Sequence, residues 1–131
     1  MNAPRLLSRA LIPAALLAAL AVSGCEQKIE APYDHGICWH VVPLTGGKVK
    51  FNKLSVNRPN LESCAGSLEG MRERFLSLGG TQEDLVGAYQ GSFLFLNRNG
   101  VFVGSSLDGA RWPALVRTQD GRLAPPSAVS Q

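Results

Sequence analysis

The chain has 131 residues and a mass of 14.0 kDa, enough for one small domain but not for a two-domain enzyme with a separate cofactor-binding half. Apolar residues make up 45% and charged residues 18%, which is typical of a globular protein and argues against a disordered or fibrous one. The formal net charge is only +3 and the basic residues do not cluster, so the composition gives no support for nucleic-acid binding.

Residues 1–24 have the pattern of a secretory signal peptide. Arg5 and Arg9 are their only charged residues, and the apolar run 11–22 follows directly. As a helix this run would be about 18 Å long, shorter than the ~30 Å hydrocarbon core of a membrane. A buried helix of the folded domain is the alternative, but a run that is apolar on every side needs a larger protein around it.

The signal ends in Val22-Ser23-Gly24-Cys25, which resembles the lipobox of bacterial lipoproteins. The resemblance implies that Cys25 is the first mature residue and carries the lipid, in the bacterial cell envelope, facing the periplasm. Glu26 is not the Asp that signals inner-membrane retention in such proteins, which slightly favours the outer membrane. The alternative is an ordinary signal cleaved nearby, with Cys25 an incidental thiol. Without Arg5 and Arg9 the mature side chains, 11 basic and 10 acidic, sum to +1.

Composition divides the mature chain into three parts. Residues 25–36 comprise the lipidated cysteine and a polar tether, which would reach about 35 Å when extended. Residues 37–118 form a single domain, and residues 119–131, with Pro125-Pro126, form a flexible C-terminal tail.

The domain is predicted to begin with a β-hairpin. Residues 37–43 are rich in β-branched and aromatic residues, and residues 48–56 alternate between polar and apolar. Thr45-Gly46-Gly47 is a turn signal between them. We interpret the lysine-containing segment 48–53 as the solvated face of a strand rather than as a basic cluster.

An amphipathic helix is predicted over residues 61–78, after Asn60 as N-cap and before the stop signal Gly79-Gly80. Its apolar residues recur at steps of three and four. They are Leu61, Cys64, Leu68, Met71, Phe75 and Leu78. Glu62 and Glu69, seven residues apart, are interpreted as a solvated face.

Two more strands are predicted, within 88–96 and 101–103, joined by an Asn99-Gly100 turn, and 112–117 is a candidate edge strand. The order is therefore ββαββ followed by a tail. The expected fold class is α+β, a small antiparallel sheet with one amphipathic helix packed on one face.

Cysteine chemistry is the strongest chemical signal in the mature chain. With Cys25 assigned to the lipid, Cys38 and Cys64 remain as an even pair in an exported chain, which favours a disulfide over two buried thiols. The alternative is a metal or redox site that also uses His35 and His40, but the sequence has no Cys-x-x-Cys motif. We therefore expect no cofactor.

The sequence favours a non-enzymatic envelope module, anchored to the membrane by its lipid, that binds a protein or a cell-wall component. Arg111, Trp112 and Tyr89 are the candidate partner contacts, since Arg and aromatic residues are enriched in binding hot spots. The alternative function is a small periplasmic metal-binding or redox protein that uses His35, Cys38, His40 and Cys64. Beyond the lipobox, the folded part resembles small uncharacterised bacterial envelope proteins, and this resemblance implies no activity.

Overall fold

A computed structural model describes residues 28–128 as one antiparallel sheet of seven strands with one α-helix. The strands are β1 (Cys38–Pro43), β2 (Val49–Ser55), β3 (Leu85–Tyr89), β4 (Ser92–Asn97), β5 (Gly100–Gly104), β6 (Trp112–Arg117) and β7 (Leu123–Ala124), and the helix α1 (Leu61–Ser77) follows β2. Across the sheet the order is β2-β1-β3-β4-β5-β6-β7. The predicted α+β class, with an antiparallel sheet and one helix, is confirmed.

The predicted order ββαββ is wrong, because the chain order is ββαβββββ. Residues 88–96 do not form one strand: a turn at Gln90 and Gly91, both at positive φ (44° and 88°), separates β3 from β4. The candidate edge strand is present as β6, but β7 pairs with it, so β6 lies inside the sheet. Residues 123–124 of the predicted tail therefore belong to the sheet.

The ends of α1 follow from local chemistry. The Asn60 side chain accepts a hydrogen bond from the Ser63 backbone N–H at 2.9 Å, and the Ser63 hydroxyl accepts one from the Asn60 N–H, which completes a capping box. At the other end Gly79 adopts a positive φ of 97° and the Gly80 N–H donates to the Phe75 carbonyl. The predicted N-cap and the predicted stop are both confirmed.

The sheet buries both of its faces. On the helix side the core includes Leu68, Tyr89, Leu94 and Val101 around the disulfide. On the opposite side an aromatic cluster of Trp39, Phe51, Phe93, Phe95 and Phe102 is covered by Ile29, Ala31 and Leu107. The sheet is therefore the middle layer of the domain, which explains why β4 is apolar on both faces.

The segment that precedes β1 is part of this packing. Ala31 is only 3% exposed, the Gly91 N–H donates to the Pro32 carbonyl at 2.8 Å, and the Gly36 N–H donates to the Gln90 side chain at 2.8 Å. Residues 28–36, which the sequence analysis placed in the tether, thus lie against the sheet.

Candidate functional site

The candidate functional site is a groove of about 340 Å³ between the second half of α1 and the sheet. Its apolar walls are Val42 of β1, Met71 and Phe75 of α1, and Leu85 of β3. The groove is also lined by the polar residues His40, Arg72, Gln82 and Asp84. Apolar walls with a few polar groups are the usual composition of a small-molecule or peptide pocket.

The groove exists because α1 approaches the sheet closely in one place and leaves β1 uncovered in another. At Gly87 a β-carbon would overlap the Leu68 side chain and would lie 2.9 Å from the Trp39 carbonyl, so the helix sits directly on β3. Beyond β1, the β2 residues opposite His40 and Val42 are Asn52 and Lys50, whose polar side chains suit an uncovered face. Glycine at position 87 therefore sets the depth of the helix and so the shape of the groove.

A buried ion-pair network holds the groove's helix wall in place. The Arg117 guanidinium donates two hydrogen bonds to the Glu69 carboxylate, at 2.6 Å and 2.9 Å, and this partner raises the pKa of Arg117. Arg72 lies 3.7 Å from the same carboxylate, and its Nε donates to the Glu83 carbonyl at 2.6 Å. The network thus joins α1 to β6 and to the loop that forms the groove's rim.

The interpretation of Glu69 as part of a solvated face is wrong, because Glu69 is 9% exposed. Arg72 is 8% exposed, and the sequence pattern did not predict that either residue is buried. A signal was available, since Glu69 and Arg72 adjoin the stripe positions Leu68 and Met71. A charged residue there must be either turned to solvent or paired.

His40 is half-buried on the helix-side face of β1, where it lines the groove. Burial lowers the pKa of His40, because it disfavours the imidazolium form. At neutral pH the side chain is therefore a neutral imidazole, which can donate one hydrogen bond and accept another.

Cys38 and Cys64 form a disulfide between β1 and α1, with a Cα–Cα distance of 5.2 Å. Both residues are 0% exposed. In the metal or redox alternative these sulfurs would be thiolate ligands or exchange partners, and the bridge removes the thiolates. His35 lies before β1 and is exposed. Within residues 28–128, no group of three or more His, Cys, Asp and Glu side chains is placed to hold a metal ion together.

The three candidate partner contacts are not equally available. Tyr89 is 5% exposed and its hydroxyl donates to the Arg58 carbonyl at 2.7 Å, so it stabilises the core and presents no contact surface. The Arg111 guanidinium lies 3.5 Å from the centre of the Phe95 ring and donates to the Leu107 carbonyl, which closes loop 105–111 over the aromatic cluster. Trp112 is 53% exposed, so its side chain is accessible to a partner.

Cys25 lies outside the described residues, as do the rest of residues 1–27 and residues 129–131. Among the helices of the described part of the chain, none is long and apolar enough to cross a membrane.

No protein-family model, no curated protein and no solved structure gives a significant match to this chain.

Proposed function

We propose that this protein is a lipid-anchored lipoprotein of the bacterial envelope, facing the periplasm, which acts by binding rather than by catalysis. Its binding site is the groove between α1 and β1, and its partner is a protein or a cell-wall component close to the membrane. The signal, the lipobox resemblance of residues 22–25 and the Cys38–Cys64 bridge all agree with export.

The buried disulfide is the observation that carries this proposal. Disulfides form and persist in oxidising compartments and are rare in the cytosol. A bridge between β1 and α1 at the centre of the core ties folding to such a compartment. It therefore supports the assignment of residues 1–24 as an export signal by an argument that is independent of their sequence.

The composition of the groove supports binding. The apolar walls can take up an apolar side chain or ligand, while His40 and Asp84 on the rim can fix its orientation. Arg72 is already held by Glu69 and by the Glu83 carbonyl, so it is a fixed wall of the groove.

Burial of the bridge disfavours the redox alternative. Thiol–disulfide exchange needs a thiolate to reach one of the two sulfurs, and both cysteines are 0% exposed. Exchange would require α1 to separate from β1. The bridge therefore has a structural role in this proposal.

The first test is the intact mass of the protein extracted from its native membrane, before and after reduction. We expect the mass of residues 25–131 plus acyl groups, and a gain of about two daltons on reduction, for the two hydrogen atoms (two protons, and two electrons from the reductant) that a single broken disulfide takes up. The matched control is Cys25→Ser, which should lose the acyl mass and keep the shift on reduction. An unacylated Cys25, or a mass that does not change on reduction, would contradict the proposal.

The second test asks which surface binds. A photoreactive residue is placed at Phe75 in the groove or at Trp112, which have similar exposures of 51% and 53%. We expect a reproducible crosslinked product in membranes from position 75, and its loss when Met71→Asp places a charge in the groove. Crosslinking from position 112 alone would move the binding site to the surface around Arg111 and Trp112.

A further inference from the structure

The chain between the proposed lipid and the folded domain is short. Cys25 is three residues before Lys28, where the described chain begins, and three extended residues span only about 10 Å. From Ile29 onwards the segment is packed, with Ala31 buried and Pro32 bonded to Gly91. If Cys25 carries the lipid, as the proposed function states, the domain surface nearest Lys28 must therefore lie against the membrane.

Lys28 lies at a definite end of the domain. Together with Ile29 it lines a cleft whose other residues include Gly46, Gly47 and Lys48 of the β1–β2 turn. The C-terminal end of α1 lies at the same end of the domain, although on the other face of the sheet, because Phe75 lines one groove with Pro43, the last residue of β1. We call the β1–β2 turn (residues 44–48), Lys28 and the end of α1 (residues 75–78) the turn end.

The turn end is rich in exposed apolar side chains. Leu44, Phe75 and Leu78 have exposures of 48%, 51% and 87%, and they are three of the six large apolar residues that the described chain exposes. Leu44 adjoins Pro43 and Leu78 is three residues beyond Phe75, and Pro43 and Phe75 line the same groove, so the three exposed apolar side chains belong to one end of the domain. Exposed apolar groups of this kind indicate an interaction surface.

We propose that the turn end contacts the lipid surface that holds the anchor, and that Leu44 and Leu78 enter the boundary between headgroups and acyl chains. The charges nearby have both signs, with Lys28, Lys48 and Arg74 exposed alongside Glu83 and Asp84. Attraction to anionic lipid is therefore not the main force. Burial of apolar side chains, at a distance fixed by the short spacer, holds the domain in place.

This orientation also places the groove. Phe75 lies both in the groove and at the turn end, so the groove opens beside the membrane. A partner that it binds would be met at the lipid surface rather than deeper in the periplasm.

The test uses the full lipidated protein in vesicles of phosphatidylethanolamine and phosphatidylglycerol. A single cysteine is introduced by Leu44→Cys or Val56→Cys and labelled with a fluorophore. It is then the only free thiol, because Cys25 is acylated and the other two cysteines are bridged. Leu44 and Val56 are both 48% exposed, and they flank β2 at opposite ends, about 20 Å apart along the strand.

We expect nitroxide-labelled lipids in the vesicles to quench the label at position 44 several times more strongly than the label at position 56, also at high salt. Equal quenching at the two positions would overturn the proposal. Shielding of position 44 from water without quenching by lipid would also overturn it, because a second protein molecule would then cover the turn end.

A flexible insertion of ten Gly and Ser residues between positions 27 and 28 tests the argument from spacer length. We expect it to reduce quenching at position 44, because the longer tether lowers the effective concentration of the turn end at the membrane. Unchanged quenching would refute that argument. The acyl mass of each sample is measured in parallel, so that loss of lipidation, which contradicts the proposed function, is distinguished from a lipidated domain that stands away from the membrane.

Discussion

Replacing Glu69 with Gln removes the charge from the ion-pair network and keeps the size of the side chain. The carboxylate accepts two hydrogen bonds from Arg117, at 2.6 Å and 2.9 Å, and lies 3.7 Å from Arg72. An amide has one oxygen where the carboxylate has two, so at least one of these bonds is lost. Two guanidinium groups are then left without their shared counter-ion.

The expected cost follows from the burial of the pair. The Glu69 and Arg117 side chains are each 12% exposed, so water can replace the lost partner only in part. Breaking a buried ion pair costs about 3–5 kcal/mol, and since these side chains keep some exposure we expect about 3 kcal/mol. Typical domains have a total stability of about 5–15 kcal/mol, so the variant should be folded but clearly weakened.

The assay is urea unfolding followed by circular dichroism, on protein with Cys25→Ser so that the disulfide holds the only cysteines. The control is Glu73→Gln on the exposed side of the same helix, where we expect a change below about 1 kcal/mol. Replacing Glu69 with Leu and both Arg72 and Arg117 with Met should recover stability, because no charge of the buried network then remains unpaired. If Glu69→Gln cost no more than Glu73→Gln, the network would not stabilise the fold and the reasoning would fail.

Three further predictions concern the core. Reducing the disulfide should lower the free energy of unfolding by about 3.5 kcal/mol, because the bridge closes a loop of 26 residues. Urea titration with and without reductant measures this change. A loss below about 1 kcal/mol would contradict the prediction. Burial lowers the pKa of His40 in the folded state below its ordinary value of 6.5. As the pH falls, the unfolded chain therefore binds a proton at His40 before the folded protein does, and the free energy of unfolding should decrease below pH 6.5. The free energy of unfolding, measured at pH 7.5 and at pH 5.5, should decrease less for His40→Gln than for the unchanged protein. An equal decrease in the two proteins would exclude His40 as a cause of the pH dependence. Gly87→Ala should lower the stability of the fold by about 1–3 kcal/mol, because the new methyl group overlaps Leu68. The control Gly66→Ala has open space around it and should stabilise α1 by up to about 1 kcal/mol. Thermal unfolding measures both variants.

Local signals in the sequence predicted the first half of the fold well. The Asn60 cap, the apolar stripe and the Gly79-Gly80 stop each act within one or two turns of a helix, so the predicted helix, 61–78, matches α1 within a residue. The hairpin 37–56 was likewise predicted from alternation and a glycine turn. The disulfide was predicted because Cys38 and Cys64 are the even pair that remains in an exported chain, and the structure confirms it.

The missed turn at Gln90 shows why the order of strands was wrong. The strongest hairpin signal is Asn or Asp before Gly, and here a Gln occupies a left-handed conformation, with φ at 44°, that Gln rarely adopts. Its side chain explains the choice, because Gln90 Oε1 accepts the Gly36 N–H and fixes the segment before β1. That contact joins residues 54 positions apart, which no local pattern can reveal.

The groove and the short spacer could not be predicted for the same reason. Glu69, Arg72 and Arg117 are each polar enough to belong on a surface, and only the packing of α1 between β6 and the loop before β3 makes them a buried network.

Residues 28–36 are polar on average, yet Ile29 and Ala31 alternate into the aromatic cluster. The packing of Ile29 and Ala31 shortens the proposed tether of about 35 Å to a spacer of about 10 Å. Under the proposed anchoring at Cys25, a change of two residues, Ile29→Ser with Ala31→Ser, should therefore move the domain away from the membrane and leave the lipidated cysteine unchanged. Quenching of the label at position 44 would then fall while the acyl mass stays the same, and undiminished quenching would show that the packing of this segment does not set the distance.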